Sequence, residues 1–293
     1  MAASRRTTSR STEGVLLVDK PAGLTSHDVV SVARRAVGTS RIGHAGTLDP
    51  FATGLLVLLV GRATRLLPYV DGEPKVYHAT IRFGVATDTD DSTGRVTASA
   101  PVPDQAAVDR AVSALTGDLE QVPPAYSAKQ VGGRRAYAAA RAGRPLELVP
   151  VPVRVHRWEV LERRHDELDV VIECAAGTYI RALARDLGQL AGSAAHLVAL
   201  RRTRSGAFRV DQAATLDALR DGSALIRPAL DALGTLPSER LAPADVVRVL
   251  QGRQVPAHAL GPRAALLDRS GRLVAIGERS GEMWHPRVVL ADD

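Results

Sequence analysis

The sequence predicts a fold that mixes helices with strands and closes on a small β unit. Three patterns carry that expectation. Helical periodicity, as over 26–37 with Val29, Val30, Ala33 and Val37 on one face, is interspersed with strand-like alternation, as over 76–83. Two further strand-like runs, 153–161 and 168–174, follow one another across a short break and read as a pair. After Gly234 the texture changes to short strands, with 264–267 and 273–276 flanking Ser270-Gly271 in a hairpin signature.

Taken in order, residues 1–12 are rich in Ser, Thr and Arg, with no acid before Glu13, which predicts a disordered tail. The stretch faintly resembles a transit peptide but lacks a periodic apolar face. A short strand over 14–18 leads into a turn at Asp19-Lys20-Pro21-Ala22-Gly23. Thr25 or Ser26 caps the helix through Val37. The apolar run 55–60 reads as a buried segment. After the strand 76–83, a helix over 104–115 ends at Gly117. From 123 to 152 Pro, Gly, Arg and Ala dominate, with Tyr126 and Tyr137 the only aromatics, and the segment reads as an inserted, basic, partly helical arm. Gly177 breaks the second paired strand and a helix follows over 178–190. Weak helical patches over 216–233 are cut by Gly222 and Pro228, and 288–290 closes the small β unit. The expected division is a tail (1–12), a main domain (13–233) carrying the arm, and a small domain (234–293).

Composition bounds the function. At 45% hydrophobic and 24% charged the 293-residue chain is ordinary globular protein. Its longest apolar run, 55–60, is far too short to cross a bilayer, and no secretory core follows Met1, so no membrane partner is expected. Cys174 is the only cysteine, which rules out an intramolecular disulfide and fits the cytoplasm. The eight histidines are dispersed without zinc spacing. Asp88, Asp90 and Asp91 lack the closing Glu of a calcium loop, since Ser99 stands there, and read as an acidic turn. No Walker or dinucleotide fingerprint is present.

The net charge of +6 comes almost wholly from arginine: only Lys20, Lys75 and Lys129 are lysines among 38 basic residues. Arginine dominance suits phosphate contacts, and it equally suits a GC-rich genome, so placement is the better guide. One cluster holds Arg134, Arg135, Arg141, Arg144, Arg154, Arg157, Arg163 and Arg164. A second holds Arg201, Arg202, Arg204 and Arg209. Such clusters suggest a polyanion partner; a solvated surface is the plainer alternative.

The most informative stretch is R-I-G-H-A-G-T-L-D-P-F-A-T-G, from Arg41 to Gly54. Pro50 pushes Asp49 out of helical conformation. Gly43, Gly46 and Gly54 make a loop whose backbone can approach a ligand. A carboxylate there, anchored by the apolar run that follows, suits catalysis. It equally suits a turn or helix cap.

Several segments resemble one family in its own order. They are Leu16-Leu17-Val18-Asp19-Lys20-Pro21-Ala22-Gly23, the Gly43 to Gly54 loop, Lys75-Val76-Tyr77-His78-Ala79, Pro123-Pro124-Ala125-Tyr126-Ser127-Ala128, Gly177-Thr178-Tyr179-Ile180-Arg181 and Leu200-Arg201-Arg202. Together they resemble bacterial tRNA pseudouridine(55) synthases of the TruB family, from about Gly14 to Leu290. The resemblance implies an α+β pseudouridine-synthase fold: a large mixed, mainly antiparallel sheet flanked by helices, with a small PUA-like β domain after it. It also implies the reaction. A uridine in the T-loop of tRNA is detached from its ribose nitrogen bond, turned, and rejoined through carbon 5. That isomerisation needs no cofactor and no metal, and the implied enzyme is a monomer acting on the T-arm.

Site roles follow from the same resemblance. Asp49 is the catalytic carboxylate; attack on the base, attack on the sugar and proton abstraction from the sugar all remain open. Arg181 pairs with Asp49. Tyr77 stacks on the flipped base, Tyr179 supports the pocket floor, and Leu200 walls it. His44 fills the space the base vacates. Lys20 and Pro21 support the catalytic loop. Arg134, Arg135, Arg141 and Arg144 on the arm contact the RNA backbone. For either tyrosine, core packing is the alternative that the residue alone favours. Two other functions stay in view: a tRNA-binding folding factor with secondary catalysis, and a related synthase acting on another RNA.

Overall fold

The computed structural model describes residues 13–127, 130–131, 134–141 and 146–290. The N-terminal tail and Arg144 lie outside that set, as do the side chains of Arg134, Arg135 and Arg141.

Strand β1 (Gly14–Lys20) leads into helix α1 (Ser26–Val37). The Thr25 side chain accepts the Asp28 N–H while the Asp28 carboxylate accepts the Thr25 N–H, a reciprocal cap that fixes where the helix starts. β2 (Ile42–His44) and β3 (Thr53–Val60) bracket the glycine-rich loop. β4 (Lys75–Phe83), a short hairpin of β5 (Val85–Thr87) and β6 (Val96–Ser99), and α2 (Gln105–Ala114) follow. Edge strand β7 (Gly117–Gln121) opens the arm, which holds β8 (Gln130–Val131), β9 (Arg134–Arg135) and α3 (Ala136–Arg141). The chain returns along β10 (Val151–Arg164), beside β7, and turns into β11 (Glu167–Cys174). Then come α4 (Ile180–Leu190), β12 (Ala195–Ser205), β13 (Phe208–Arg209), α5 (Leu216–Arg220) and β14 (Ile226–Arg227).

The main sheet has the order β14-β1-β3-β12-β4-β11-β10-β7, with β2 and β13 attached to β3 and β12. Only the β12–β3 pairing is parallel, so the sheet is mixed and mainly antiparallel. A second sheet is built from β15 (Ser238–Arg240), β16 (Val255–Pro256), β17 (Arg263–Leu267), β18 (Leu273–Ser280) and β19 (Met283–Val289), with α6 (Pro243–Leu250) against it. The expected α+β architecture with a C-terminal β unit is what forms.

Burial explains the two kinds of strand pattern. On β4 only Tyr77, Ala79, Ile81 and Phe83 are buried, while His78 and Arg82 face solvent, so the strand alternates. β3 has no polar face because both its faces are covered. Leu56, Leu58 and Val60 share a core with Val29, Val30 and Ala33 of α1 and with Leu183 and Leu187 of α4. Leu55, Val57 and Leu59, with Val15 and Leu17 of β1, share a different core with Ala265, Leu267, Leu273, Ile276 and Val288 of the second sheet. The C-terminal sheet therefore roofs one end of the main sheet. Its other side has its own core around Trp284, Leu266, Val249 and Val274, with the Trp284 indole N–H donating to Glu239 at 2.7 Å.

Some elements differ from expectation. β12, eleven residues long and central, escapes the sequence pattern. Register shifts at Leu197/Ala199 and Arg202/Arg204 break its alternation, and its arginines read as surface. The helix expected from 178 begins at Ile180, because Tyr179 stands at its N-cap in extended conformation. β10 and β11 extend beyond 153–161 and 168–174. The patches over 216–233 resolve into α5, the two-residue β14 and a 3₁₀ turn over Ala229–Leu233.

The shared core makes a prediction about truncation. Leu17, Leu55, Val57 and Leu59 are each 3% exposed or less. Uncovering them forfeits about 2 kcal/mol per side chain, against a total stability of about 5–15 kcal/mol for a domain. A chain ending at Gly234 is therefore expected to aggregate or to melt well below the full chain, as read by size-exclusion chromatography and circular dichroism.

Candidate active site

The Asp49 loop has no ladder of its own beyond β2 and β3, so side chains from elsewhere hold it. The Ser26 hydroxyl, buried at the start of α1, donates to the Leu48 carbonyl at 3.2 Å and accepts the Leu48 N–H at 2.9 Å. Lys20, fully buried at the end of β1, donates to the carbonyls of Pro21, Leu24 and Pro50 at 2.9, 2.8 and 3.3 Å. Three carbonyls match the three N–H bonds of an ammonium. Burial pushes the Lys20 pKa down to about 8, an effect that Asp49 opposes and Arg202 reinforces. Pro21 itself is exposed, and its carbonyl is its contribution.

Arg202 braces the loop from the sheet. It is 1% exposed and lies on β12, where its guanidinium donates to the carbonyls of Leu55 (2.8 Å), Thr47 (3.3 Å) and Gly46 (3.1 Å). Gly54 lies against the backbone of the same arginine: a Cβ there would stand 2.3 Å from the Arg202 carbonyl oxygen, and its φ of +101° also excludes other residues. The glycine is what lets β3 and β12 run side by side in parallel at this point.

Arg181, on the first turn of α4 and buried, meets Asp49 in a two-pronged pair: Nε to Oδ2 at 3.0 Å and Nη2 to Oδ1 at 2.8 Å. Two more of its N–H groups are taken, one on Nη1 by the Thr89 carbonyl at 2.8 Å and one on Nη2 by the Tyr126 carbonyl at 2.9 Å. The Asp91 carboxylate stands 3.8 Å from Nη1. Asp91 in turn accepts from the Thr89 hydroxyl, the Thr93 N–H and the Thr93 hydroxyl at 2.8, 2.9 and 2.6 Å. The acidic turn at 88–91 is thus the socket of the arginine. Asp90 pairs with Arg185 at 3.1 Å; burial pushes its pKa up, against the pull of Arg185 and Arg181. Asp49 keeps a side chain 32% exposed, so the pair reaches solvent and is not sealed inside the core.

Tyr77, whose hydroxyl feels the Asp49 charge, and Leu200 lie on the adjoining strands β4 and β12. Tyr77 on β4 is 6% exposed and stands opposite Arg202 in the β4–β12 register; Leu200 is 6% exposed and stands opposite Ala79. Burial pushes the Tyr77 hydroxyl above the ordinary phenol range, with Arg202 working against that shift. The hydroxyl is neutral at working pH. Tyr179, partly exposed, sits two residues before Arg181. His44 is at the end of β2, and its Nδ1 is buried without a hydrogen-bond partner among the described residues. Burial lowers its pKa, helped by Arg202 and His27, so the ring is neutral. It borders a cavity of about 570 Å³ lined also by Gly46, Leu67, Val70, Glu73 and Lys75.

The structure therefore brings Asp49, Arg181, Tyr77 and Lys20 together from the loop, α4, β4 and β1, while Leu200 is placed on β12 opposite Ala79. Sequence reading missed Arg202 and Asp91, which it took for a surface cation and part of an acidic turn. It also overstated the surface charge. Arg201 forks onto Asp19 at 3.0 and 2.7 Å. Arg157 pairs with Glu159, Arg164 with Asp169, and Arg209 with Asp211. The proposed phosphate contacts of the arm arginines fall outside the described side chains.

Comparison with known proteins identifies the family. The sequence model of the TruB family pseudouridylate synthase N-terminal domain matches residues 34–180, and that of the tRNA pseudouridylate synthase B C-terminal domain matches 181–246. The junction of the two matches falls inside α4 and is not a boundary of the fold. The tRNA pseudouridine synthase B of Thermobifida fusca is 47% identical over 290 residues, covering 95% of this chain and 99% of its own. That of Mycobacterium bovis BCG is 45% identical over 284 residues, covering 94% and 95%. Among solved structures, a Cbf5–Nop10–Gar1 complex contains a chain that superposes with a TM-score of 0.72 at 24% identity, covering 96% of this chain and 85% of that one. This likeness shows the shared pseudouridine-synthase fold. With the fold, the loop carboxylate and relatives matched nearly end to end, the chain belongs to the TruB family of pseudouridylate synthases.

Proposed function

We propose that this enzyme converts a uridine of tRNA to pseudouridine, that the uridine is position 55 in the T-loop, and that Asp49 carries the chemistry. The observation that supports this most directly is the two-pronged Arg181–Asp49 pair, which reaches solvent. A carboxylate serving as nucleophile or base must be held still with an oxygen free toward the substrate. Arg181 fixes both oxygens, and the Asp49 side chain keeps 32% of its surface in contact with solvent.

A base stacked inside a folded loop is reached by extrusion. The neutral, flat imidazole of His44 suits the space left behind. Tyr77 offers its ring as a stacking surface. Its neutral hydroxyl suits a hydrogen-bonded relay for the carbon 5 proton better than a free phenolate base. Leu200 and Tyr179 complete the walls, and Lys20 with Pro21 steadies the loop. Arg134, Arg135, Arg141 and Arg144 supply backbone contacts from the arm. In this reading residues 13–233 are the catalytic unit and 234–293 a PUA-like RNA-binding unit, acting as a monomer in the cytoplasm without cofactor or metal. Among the described residues no helix is long and apolar enough to cross a membrane.

The direct test incubates unmodified tRNA transcript with pure protein and maps pseudouridine by chemical labelling. Turnover without added cofactor, at one T-loop position, is the expected result. Asp49→Asn should keep tRNA affinity within about threefold and lose turnover, since it deletes the nucleophile and turns an amide N–H toward the Arg181 donors. Retained turnover would remove Asp49 from its role. Arg181→Lys keeps a charge but cannot fork onto the carboxylate while also reaching Thr89 and Tyr126. Single-turnover rate should fall by about a hundredfold with little change in affinity. Tyr77→Phe should preserve affinity, because stacking needs only the ring, and slow the reaction in rapid-quench assays.

A further inference from the structure

Gln121 is the last residue of β7, where the chain leaves the sheet to begin the arm. It is 1% exposed. A buried amide is costly unless both its ends are bonded, and here one residue bonds both. The Tyr179 N–H donates to Oε1 at 2.9 Å, and Nε2 donates to the Tyr179 carbonyl at 3.1 Å. A backbone N–H only donates and a carbonyl only accepts, so these partners dictate which way the amide points. The exchange imitates one rung of an antiparallel ladder.

Its location gives the contact meaning. Tyr179 is the N-cap of α4, where its own side chain makes no capping bond, and Arg181 follows two residues later. The same strip of the arm root is tied to α4 twice more. Arg185 Nη2 donates to the Val122 carbonyl at 2.8 Å, and Arg181 Nη2 donates to the Tyr126 carbonyl. With both ends of its amide held by Tyr179, Gln121 acts through the helix and not on the RNA.

We propose that Gln121 is a positioning residue for the reaction: by gripping the Tyr179 backbone it sets where α4 begins, hence how the Arg181 guanidinium faces Asp49, and it links that setting to the root of the arm. The link gives RNA held by the arm a short mechanical route to the catalytic carboxylate. The proposal rests on the roles of Asp49 and Arg181 given above. Wild-type turnover of tRNA transcript is the control, since its failure would remove those roles and leave the geometry of Gln121 untouched.

Gln121→Leu keeps the approximate size and removes both bonds. The single-turnover rate at saturating tRNA should fall about tenfold or more, while the dissociation constant for tRNA stays within about threefold. Gln121→Glu supplies a second measurement. Protonated, the acid donates to the Tyr179 carbonyl and accepts its N–H, restoring both bonds; ionised, it opposes that carbonyl with like polarity. Its rate relative to wild type should climb as pH falls from about 8 to about 5.5. The neighbouring charged groups Asp49, Asp91, Arg181 and Arg185 are common to both proteins and cancel in the ratio. A purely structural glutamine would lower melting temperature without separating rate from affinity and without rescue by acid. A folded Gln121→Leu variant at wild-type rate overturns the proposal. So does a Gln121→Glu variant whose rate ratio is flat over that range, including when the leucine variant fails to fold.

Discussion

The arrangement of this protein turns on the need to satisfy one buried guanidinium. Arg181 brings a full charge and five N–H donors into the interior, which is tolerable only if the charge is matched and the donors are used. Three stretches of chain far apart in sequence meet that need for an arginine carried by α4: the loop at Asp49, the turn at Thr89 and Asp91, and the arm root at Tyr126. Each segment must be in place for the others to be stable there. The Asp49 carboxylate is thus fixed by the fold as a whole and not by its own loop.

The same device recurs beneath that loop. Lys20 and Arg202 are buried cations that gather three backbone carbonyls each: Lys20 ties Pro50 of the loop to Pro21 and Leu24 of the β1–α1 turn, and Arg202 ties Gly46 and Thr47 of the loop to Leu55 of β3. Glycine-rich backbone can come close to a ligand but is slack by nature. Cationic side chains entering from β1 and β12 remove that slack while leaving the upper surface of the loop free. Part of the arginine that makes this chain so basic is therefore internal scaffolding, and counting it as an RNA-facing surface overstates the latter.

Legibility in the sequence followed the physics of each element. Helices α1 and α2 were readable because their caps and apolar stripes are local. The run 55–60 announced burial, yet which elements covered it depends on the whole topology. β12 was illegible because bulges spoil a period of two and because Arg202 looks like a surface residue when seen without its carbonyls. Asp49 and Arg181 stand 132 positions apart; only the family resemblance joined them in advance, and the structure supplies the geometry. Asp91 was visible as an acid in a turn, but its task follows from a neighbour 90 residues away in the chain.

The roof that the C-terminal sheet makes over β1 and β3 also fixes distances across the molecule. The seam is a continuous apolar core containing Leu17, Val57, Ala265 and Ile276, not a polar surface across which two bodies slide. With such a seam the span from Asp49 to the far strands is a fixed length. The two sheets are thus a caliper locked at one opening, whose setting is fixed when the chain folds.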